Sequence, residues 1–418
     1  MKRLIIILGL LLPGAAFAQL GGDPSLVFEM ATENNIFFGV RAAGMGGAQV
    51  AAGDDGSAVW YNPALLTRIR RLELSGSLSH QRFFNDTKLG DYANSEFQAN
   101  NTRLSGLWAV LPVPVEQGGL SLAFAAGRVK SFDRLFRYET EPGWYQQPVG
   151  DGRGGGEDDL GGLWVYSAGG GLELSRYTSI GLALEIYNGS DNYALLEDQI
   201  DGPLTTSYRM ELSDSYSGYS AKVGLAYSAN SALHFGATIR FPTPLTIEQS
   251  GLDLYSENGD TSTDVLNGEY KYVLPFSFGT GALVAINSLL IAGDINYCDY
   301  TQLEYKRGVD LPVANNSVKN YYRDVLSYNL GAEYLLPRQG LTLRAGYARD
   351  PIPYLGYPVT NDLDIFTVGF GYLLDKTLKL DVAVNFLNWT REDPRFLQLG
   401  TIEKYRAQRF FLGFTYRI

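Results

Sequence analysis

Two histidines, His80 and His234, and one cysteine, Cys298, are all the imidazole and thiol that this 418-residue sequence offers for metal binding or nucleophilic catalysis. They lack the spacing of zinc ligands. A serine hydrolase needs Ser and His at one depth on one surface, and His234 sits instead among small inward positions. The glycine-rich stretch "GDGRGGGEDDLGG" (residues 150–162) lacks both the Gly-Lys-Ser/Thr ending and the following helix of a phosphate loop. It reads as an outer loop whose acids would hold Ca²⁺ only loosely. No enzyme activity, cofactor or metal is expected. The chemistry that remains belongs to charges set singly between apolar residues: Lys222, Arg240, Arg344 and Lys379, with Glu185, Asp294, Glu333 and Asp381.

Those charges are positioned by a pattern of period two. In "ALHFGATIRF" Leu233, Phe235, Ala237, Ile239 and Phe241 are apolar and alternate with Ala232, His234, Gly236, Thr238 and Arg240. "LKLDVAVNF" repeats it, with Leu378, Leu380, Val382, Val384 and Phe386 set against Lys379, Asp381, Ala383 and Asn385. One face is greasy and the other wet, as in a half-buried strand. A soluble sandwich gives the same signal, so the connections decide. Fourteen strand candidates fall near 72–84, 103–112, 118–129, 163–175, 178–189, 216–228, 232–242, 271–285, 288–300, 323–336, 340–350, 363–374, 377–388 and 407–418. Tight turns such as "SANSA", "PRQG" and "DKT" alternate with long loops at 130–162, 190–215, 243–270 and 301–322. Short turns on one rim, long loops on the other and an even strand number describe a bacterial outer-membrane barrel. The last stretch, "RFFLGFTYRI", turns Phe410, Leu412, Phe414, Tyr416 and Ile418 to one side, as a closing strand would.

Composition agrees. Tyr (28), Phe (21) and Gly (48) are abundant, yet mean hydropathy is only −0.09, because a lipid face and a wet lumen cancel. Lys2 and Arg3, the apolar run Leu4–Leu12 and the small-x-small Ala16-Phe17-Ala18 read as a cleaved export signal over residues 1–18. The formal charge of −11 becomes −13 without Lys2 and Arg3, which disfavours nucleic acid as a partner. A lone cysteine excludes an internal disulfide framework.

A barrel of about fourteen strands is too wide for its own side chains to fill, so it needs a plug or leaks. Residues 19–70 precede the first strand and supply suitable material. Gly44, Gly46 and Gly47 permit positive φ and close backbone contact, and Trp60 and Tyr61 would gain nothing in an exposed tail. Asn62-Pro63 suits a turn, and Pro63 lacks the N–H that a ladder would need. "RAAGMGGAQVAAGDDGSAVWYNPALLTRI" resembles the N-terminal hatch of the FadL and toluene-transporter family, with Trp60-Tyr61 running into Asn62-Pro63-Ala64. "HFGATIRFPTPL" is similar to that family's Gly-x-x-x-Arg-x-Pro strand end, and "LRAGYARDPIP" to its Arg-x-Gly-Tyr strand. The matching motifs follow in order along most of the chain.

The expected fold is therefore all-β: a transmembrane antiparallel barrel over residues 71–418, with the hatch of residues 19–70 folded in its lumen. The resemblance implies a bacterial outer-membrane protein, surrounded by outer-membrane lipid and lipopolysaccharide and acting as a monomer. It implies passive uptake of a hydrophobic small molecule: a long-chain fatty acid or an aromatic or aliphatic hydrocarbon. The ligand would leave sideways near a distorted third strand, here "GLSLAFAAGRVKSF", with Phe124, Gly127 and Arg128 at the exit. Inward Lys222, Arg240, Glu333, Arg344, Asp294 and Asp381 either form a salt-bridge belt that seats the hatch or include a cation that meets a ligand carboxylate. Cys298 reads as a small filler. A shuttle or scaffold subunit of an outer-membrane secretion system has the same hatch-and-barrel pattern and stands as the alternative, and a polar porin is disfavoured by the plug.

Overall fold

The computed structural model describes residues 36–90, 95–141, 144, 151–308, 310–355, 362–393 and 401–418. The proposed export signal and the first part of the proposed hatch lie outside them. The segments are β1 (Glu73–Leu89), β2 (Ser95–Val113), β3 (Leu120–Ser131), β4 (Arg134–Glu139), β5 (Gly152–Glu173) and β6 (Thr178–Asp201). They continue as β7 (Leu204–Ser228), β8 (Leu233–Arg240), β9 (Thr243–Glu257), β10 (Asp260–Leu274), β11 (Ser277–Ile286) and β12 (Leu289–Asp299). The last six are β13 (Glu304–Arg307), β14 (Asp324–Leu336), β15 (Leu341–Asp350), β16 (Leu363–Leu373), β17 (Leu378–Asp393) and β18 (Thr401–Arg417).

Every neighbour is antiparallel, and β18 pairs back onto β1 from Glu73↔Arg417 to Leu89↔Thr401, so the sheet closes and leaves no edge at the seam. Four walls of the barrel are each broken into two segments, which makes fourteen strands in all: β3 with β4, β8 with β9, β10 with β11, and β12 with β13. Two of the breaks fall at Pro242 and Pro275, which cannot donate to a ladder. The rings of Phe241 and Phe276 beside them lie 5.7 Å apart.

All fourteen strand positions agree with the sequence pattern, but three of the expected long loops are largely strand. β6 and β7 run for 24 and 25 residues, roughly 80 Å at about 3.4 Å per residue and well beyond a tilted bilayer crossing. On β7 the outward residues change from apolar Tyr227, Leu225, Val223 and Tyr219 to Ser217, Ser215 and Ser213, while the inward ones become Tyr216, Leu212 and Met210. The alternation continues with its polarity reversed, because outside the membrane the outer face meets water. In β5 the glycines of the presumed loop are strand as well. A Cβ on Gly156 would come within 2.2 Å of the Phe136 carbonyl oxygen and one on Gly161 within 2.2 Å of that of Ser190, so glycine lets the neighbouring strands approach.

Within the ring lies the segment from Ile36. It forms two short helices, α1 (Val40–Gly44) and α2 (Ala58–Tyr61), and a 3-10 turn over Pro63–Arg68. Most of it is buried against inward residues of strands from around the barrel. Gly46 and Gly47 have φ of 60° and 76°. A Cβ on Gly46 would stand 2.7 Å from the Tyr347 nitrogen and 2.8 Å from the Leu330 oxygen. Both the conformation and the close approach therefore need glycine. A third helix, α3 (Leu311–Tyr321), joins β13 to β14 at the long-loop rim.

Candidate functional site

Three arrangements of side chains occupy the lumen. The first is a charged belt beneath the N-terminal segment. Arg41, on α1, donates from Nε and Nη2 to Glu333 at 3.0 and 3.1 Å, and from Nη1 to Gln49 Oε1 and the Ala52 carbonyl. Its Nε also lies 3.1 Å from Asp54. Glu333 accepts a second guanidinium, Arg344 Nε at 2.6 Å, whose Nη1 reaches Asp381 at 2.7 Å, and Lys379 completes the row 3.2 Å from Asp381. Burial works against the Arg41 charge, but Asp54 and Glu333 outweigh it and hold the guanidinium above its usual range. Asp55, buried beside Asp54, is pushed up by burial first and by that neighbouring charge second.

Backbone contacts seat the rest of the segment. Asp294 accepts the Gln49 and Val50 N–H groups at 2.6 and 2.8 Å. Asn62 donates to the Val50 and Leu225 carbonyls, and its Oδ1 accepts Ala64 N–H, capping the turn that Pro63 opens. A Cβ on Gly181 would meet Pro63 at 2.3 Å, so Asn62, Pro63 and Ala64 lie directly against the wall. A Cβ on Gly369 would stand 2.9 Å from the Gly44 Cα, and Tyr61 accepts the Phe38 N–H at 3.0 Å.

The second arrangement surrounds Trp60. Arg240 lies 4.1 Å from the centre of its ring and Lys222 4.4 Å, and Lys222 also donates to the Trp60 carbonyl. Both cations share one carboxylate, Glu185, at 3.3 Å from Lys222 and 3.2 Å from Arg240, and Tyr187 donates to it at 2.8 Å. The Arg240 side chain keeps 25% of its surface exposed, whereas that of Arg344 keeps 1%. Packed against Trp60 is the largest apolar cluster of the lumen, with Tyr216, Tyr270, Tyr272, Tyr305, Leu245 and Ile247 among its members and Ala314 and Val318 of α3 above.

The third is an interruption of the wall. The β2–β3 ladder runs from Val113↔Leu120 only as far as Gly106↔Gly127, although β2 stays paired with β1 to Ser95. Register shifts mark both sides: β2 skips Ser105 against β1, and β3 skips Val129 against β5. The Phe38 ring fills the place where the ladder stops. A Cβ on Gly127 would come within 2.1 Å of it and one on Gly106 within 2.7 Å, and it meets Trp108 edge-on at 5.6 Å. Ile36 N–H donates at 3.0 Å to the carbonyl of the skipped Val129. Further out, Arg103 bridges to Asp133 at 2.8 Å and to the Gly161 carbonyl, and Arg128 reaches the same carbonyl, Ser131 and Asp133. On the outer face a groove of about 930 Å³ is lined by Leu74, Leu107, Phe124, Tyr166, Ile186 and Phe414.

Residues 207–394 match the model of a family described as outer membrane protein transport protein (OMPP1/FadL/TodX). Among solved structures, a Pseudomonas aeruginosa FadL homologue aligns with a TM-score of 0.64 at 12% identity, covering 90% of this chain and 97% of its own. The P. putida toluene transporter TodX aligns at 0.63 and 14% identity, covering 91% and 98%. The monoaromatic hydrocarbon channel CymD aligns at 0.60 and 16%, covering 92% and 98%. The chain has the fold of these FadL- and TodX-type barrels. No curated protein matches the sequence. In this FadL/TodX-type fold the outward Leu, Phe and Tyr residues of the strands are the lipid-facing belt.

Sequence reasoning singled out Lys222, Arg240, Glu333, Arg344, Asp294 and Asp381 one by one, and the structure divides them between the belt and the Trp60 floor. It missed Arg41, whose signal was available as the only cation between Ile36 and Arg68. It missed Phe38 and Asp133 because their partners come from distant strands. Gly127→Ala is expected to cost about 1–3 kcal/mol by overpacking against Phe38, with a matching fall in the melting temperature in detergent. Phe38→Ala in the same chain should recover most of that loss.

Proposed function

We propose that the protein carries hydrophobic small molecules passively across the outer membrane, with residues 19–70 as a hatch. In this reading the export signal of residues 1–18 is removed and the barrel spans residues 71–418. The ligand enters from the long-loop side, passes the tyrosine cluster to the Trp60 floor, and leaves sideways between β2 and β3 instead of through the hatch. The observation that carries the reading is the wall interruption at Gly106 and Gly127, which adjoins an apolar groove on the lipid face. An apolar solute gains nothing by entering water and about 25 cal/mol per Å² by staying out of it, so a path into lipid is the favoured one. The toluene transporter and the monoaromatic hydrocarbon channel that share this fold support the ligand class.

Among the charges, Arg240 is the one we place on the ligand path, because it is the more exposed and shares Glu185 with a second cation. Arg344, Glu333, Asp381 and Asp294 serve as the belt. Replacing Arg240 with Gln removes a charge-assisted contact of about 1.5–3 kcal/mol, or roughly ten- to more than a hundredfold in affinity for a carboxylate. Uptake of a long-chain fatty acid into proteoliposomes should fall by about that factor, while toluene uptake stays within twofold. If both slow equally, Arg240 belongs to the belt and the ligand is neutral. If neither compound crosses the unaltered protein faster than empty liposomes allow, the transport reading itself is lost.

A further inference from the structure

Above the Trp60 floor, the inward rows of β6, β7 and β9 set Asp191 opposite Asp214 and Asp214 opposite Gln249. All three are buried. Tyr216 follows Asp214 on the same inward row, and Tyr270 and Tyr272 of β10 and Tyr305 of β13 belong to the same cluster. The rings of Tyr270 and Tyr272 are 6.5 Å apart and stacked, and those of Tyr272 and Tyr305 are 5.8 Å apart. Asp214 acts electrostatically on the hydroxyls of Tyr216, Tyr270 and Tyr272, and Asp191 on the first two. Asp214 Oδ1, Gln249 Nε2 and Tyr272 Oη are buried here without a hydrogen-bond partner among the described residues, and Tyr272 is only 1% exposed. Buried polar atoms are normally satisfied, so each of these points to a group that arrives from elsewhere.

We infer that this cluster binds the ammonium group of an otherwise apolar amine, with Asp214 accepting its protons and the tyrosine faces enclosing its charge. The inference rests on the reading of this lumen as a route for apolar molecules and names a chemical class within it. A carboxylate oxygen accepts and never donates, which selects a ligand with N–H groups over a hydrocarbon. The faces of aromatic rings attract cations, and Asp191 beside Asp214 disfavours an anion at the same place. Asp214 lies beyond Tyr219, the last exposed apolar residue of β7, and so outside the membrane span. Burial pushes its carboxyl up to about 6, and the neighbouring Gln249 and Tyr216 favour the ionised form, so it carries charge near neutral pH. Ala314 and Val318 of α3 pack on the same cluster, so entry of the amine displaces that helix.

The test uses the full-length protein in detergent and three probes of one shape: 2-phenylethylamine, ethylbenzene and phenylacetate, with affinities read by ligand-observed NMR. The amine should bind about tenfold more tightly than ethylbenzene, the size expected of a charge-assisted contact. Asp214→Asn should bring the two within about twofold of each other while leaving ethylbenzene unchanged, and Tyr272→Phe should weaken the amine severalfold. Heat-modifiable gel mobility confirms that each variant is folded. An amine preference that is absent in the unaltered protein, or that survives Asp214→Asn, overturns the inference while leaving hydrocarbon passage intact. Binding of none of the three probes overturns the transport reading along with it.

Discussion

Deleting residues 40–66 should turn a nearly silent protein into an open ion-conducting pore in planar bilayers. About eight strands already suffice for side chains to fill a barrel, and fourteen leave a bore that they cannot close. In this structure the space is taken by α1, α2 and the turn at Pro63, and the strands around them present glycine or small residues at the points of contact. Gly181, Gly224, Gly236, Gly331 and Gly346 all have segment backbone or the Asn62-Pro63 turn within 2.5 Å of where a Cβ would stand. Removing the segment therefore leaves an empty bore and not a collapsed one. The deletion also strips Asp294 of two backbone donors and Glu333 of Arg41. The water that enters then solvates these groups, so the barrel should remain folded and heat-modifiable. A folded deletion variant that stays silent would show that other elements close the lumen and that the hatch assignment is wrong.

The wall of this barrel was legible from local pattern, and its contents were not. Strand positions depend on a two-residue alternation that each segment carries by itself, as in Leu233 to Phe241, so they can be read without knowing any neighbour. The reversal of that alternation beyond Tyr219 defeats a search for greasy outer faces, and the β6–β7 and β9–β10 extensions were lost for that reason. Pairing within the belt depends on contacts between residues nearly three hundred positions apart, such as Arg41 with Glu333. A sequence states that Lys222, Arg240, Arg344 and Lys379 share an enclosure with acids. Which acid each cation takes is set by strand stagger and by the path of the inserted segment. The wall interruption was half visible: Arg128 breaks the alternation of β3, but the ring that fills the gap comes from Phe38.

Glu333→Ala should be the most damaging single substitution in the lumen, and its effect should be local to the inserted segment. The carboxylate joins two guanidiniums, Arg41 from α1 and Arg344 from β15, both almost fully buried. Arg344 keeps Asp381 and Arg41 keeps Asp54 after the loss, so neither charge is wholly abandoned, and the cost should be about 3 kcal/mol, the lower end for breaking a buried ion pair. Glu333→Gln preserves the shape and an acceptor and should cost less, about 1–2 kcal/mol. Arg41→Met removes the other end of the same contact and relieves α1 of a buried charge. The Arg41→Met, Glu333→Ala double variant should therefore lose less than the sum of the singles, with a coupling of about 1–3 kcal/mol. Two readouts separate the segment from the wall: thermal unfolding in detergent for the barrel, and flickering conductance in bilayers for release of the segment. Expected is flickering at temperatures well below unfolding for Glu333→Ala, and quiet traces for an Arg406→Ala control, whose contacts to Asp86 and Glu96 are exposed. If the two singles add without coupling and Glu333→Ala stays quiet until the barrel melts, the belt braces the wall alone and the hatch is held by its backbone contacts to Asp294 and Thr367 and by Asn62 donating to the Leu225 carbonyl.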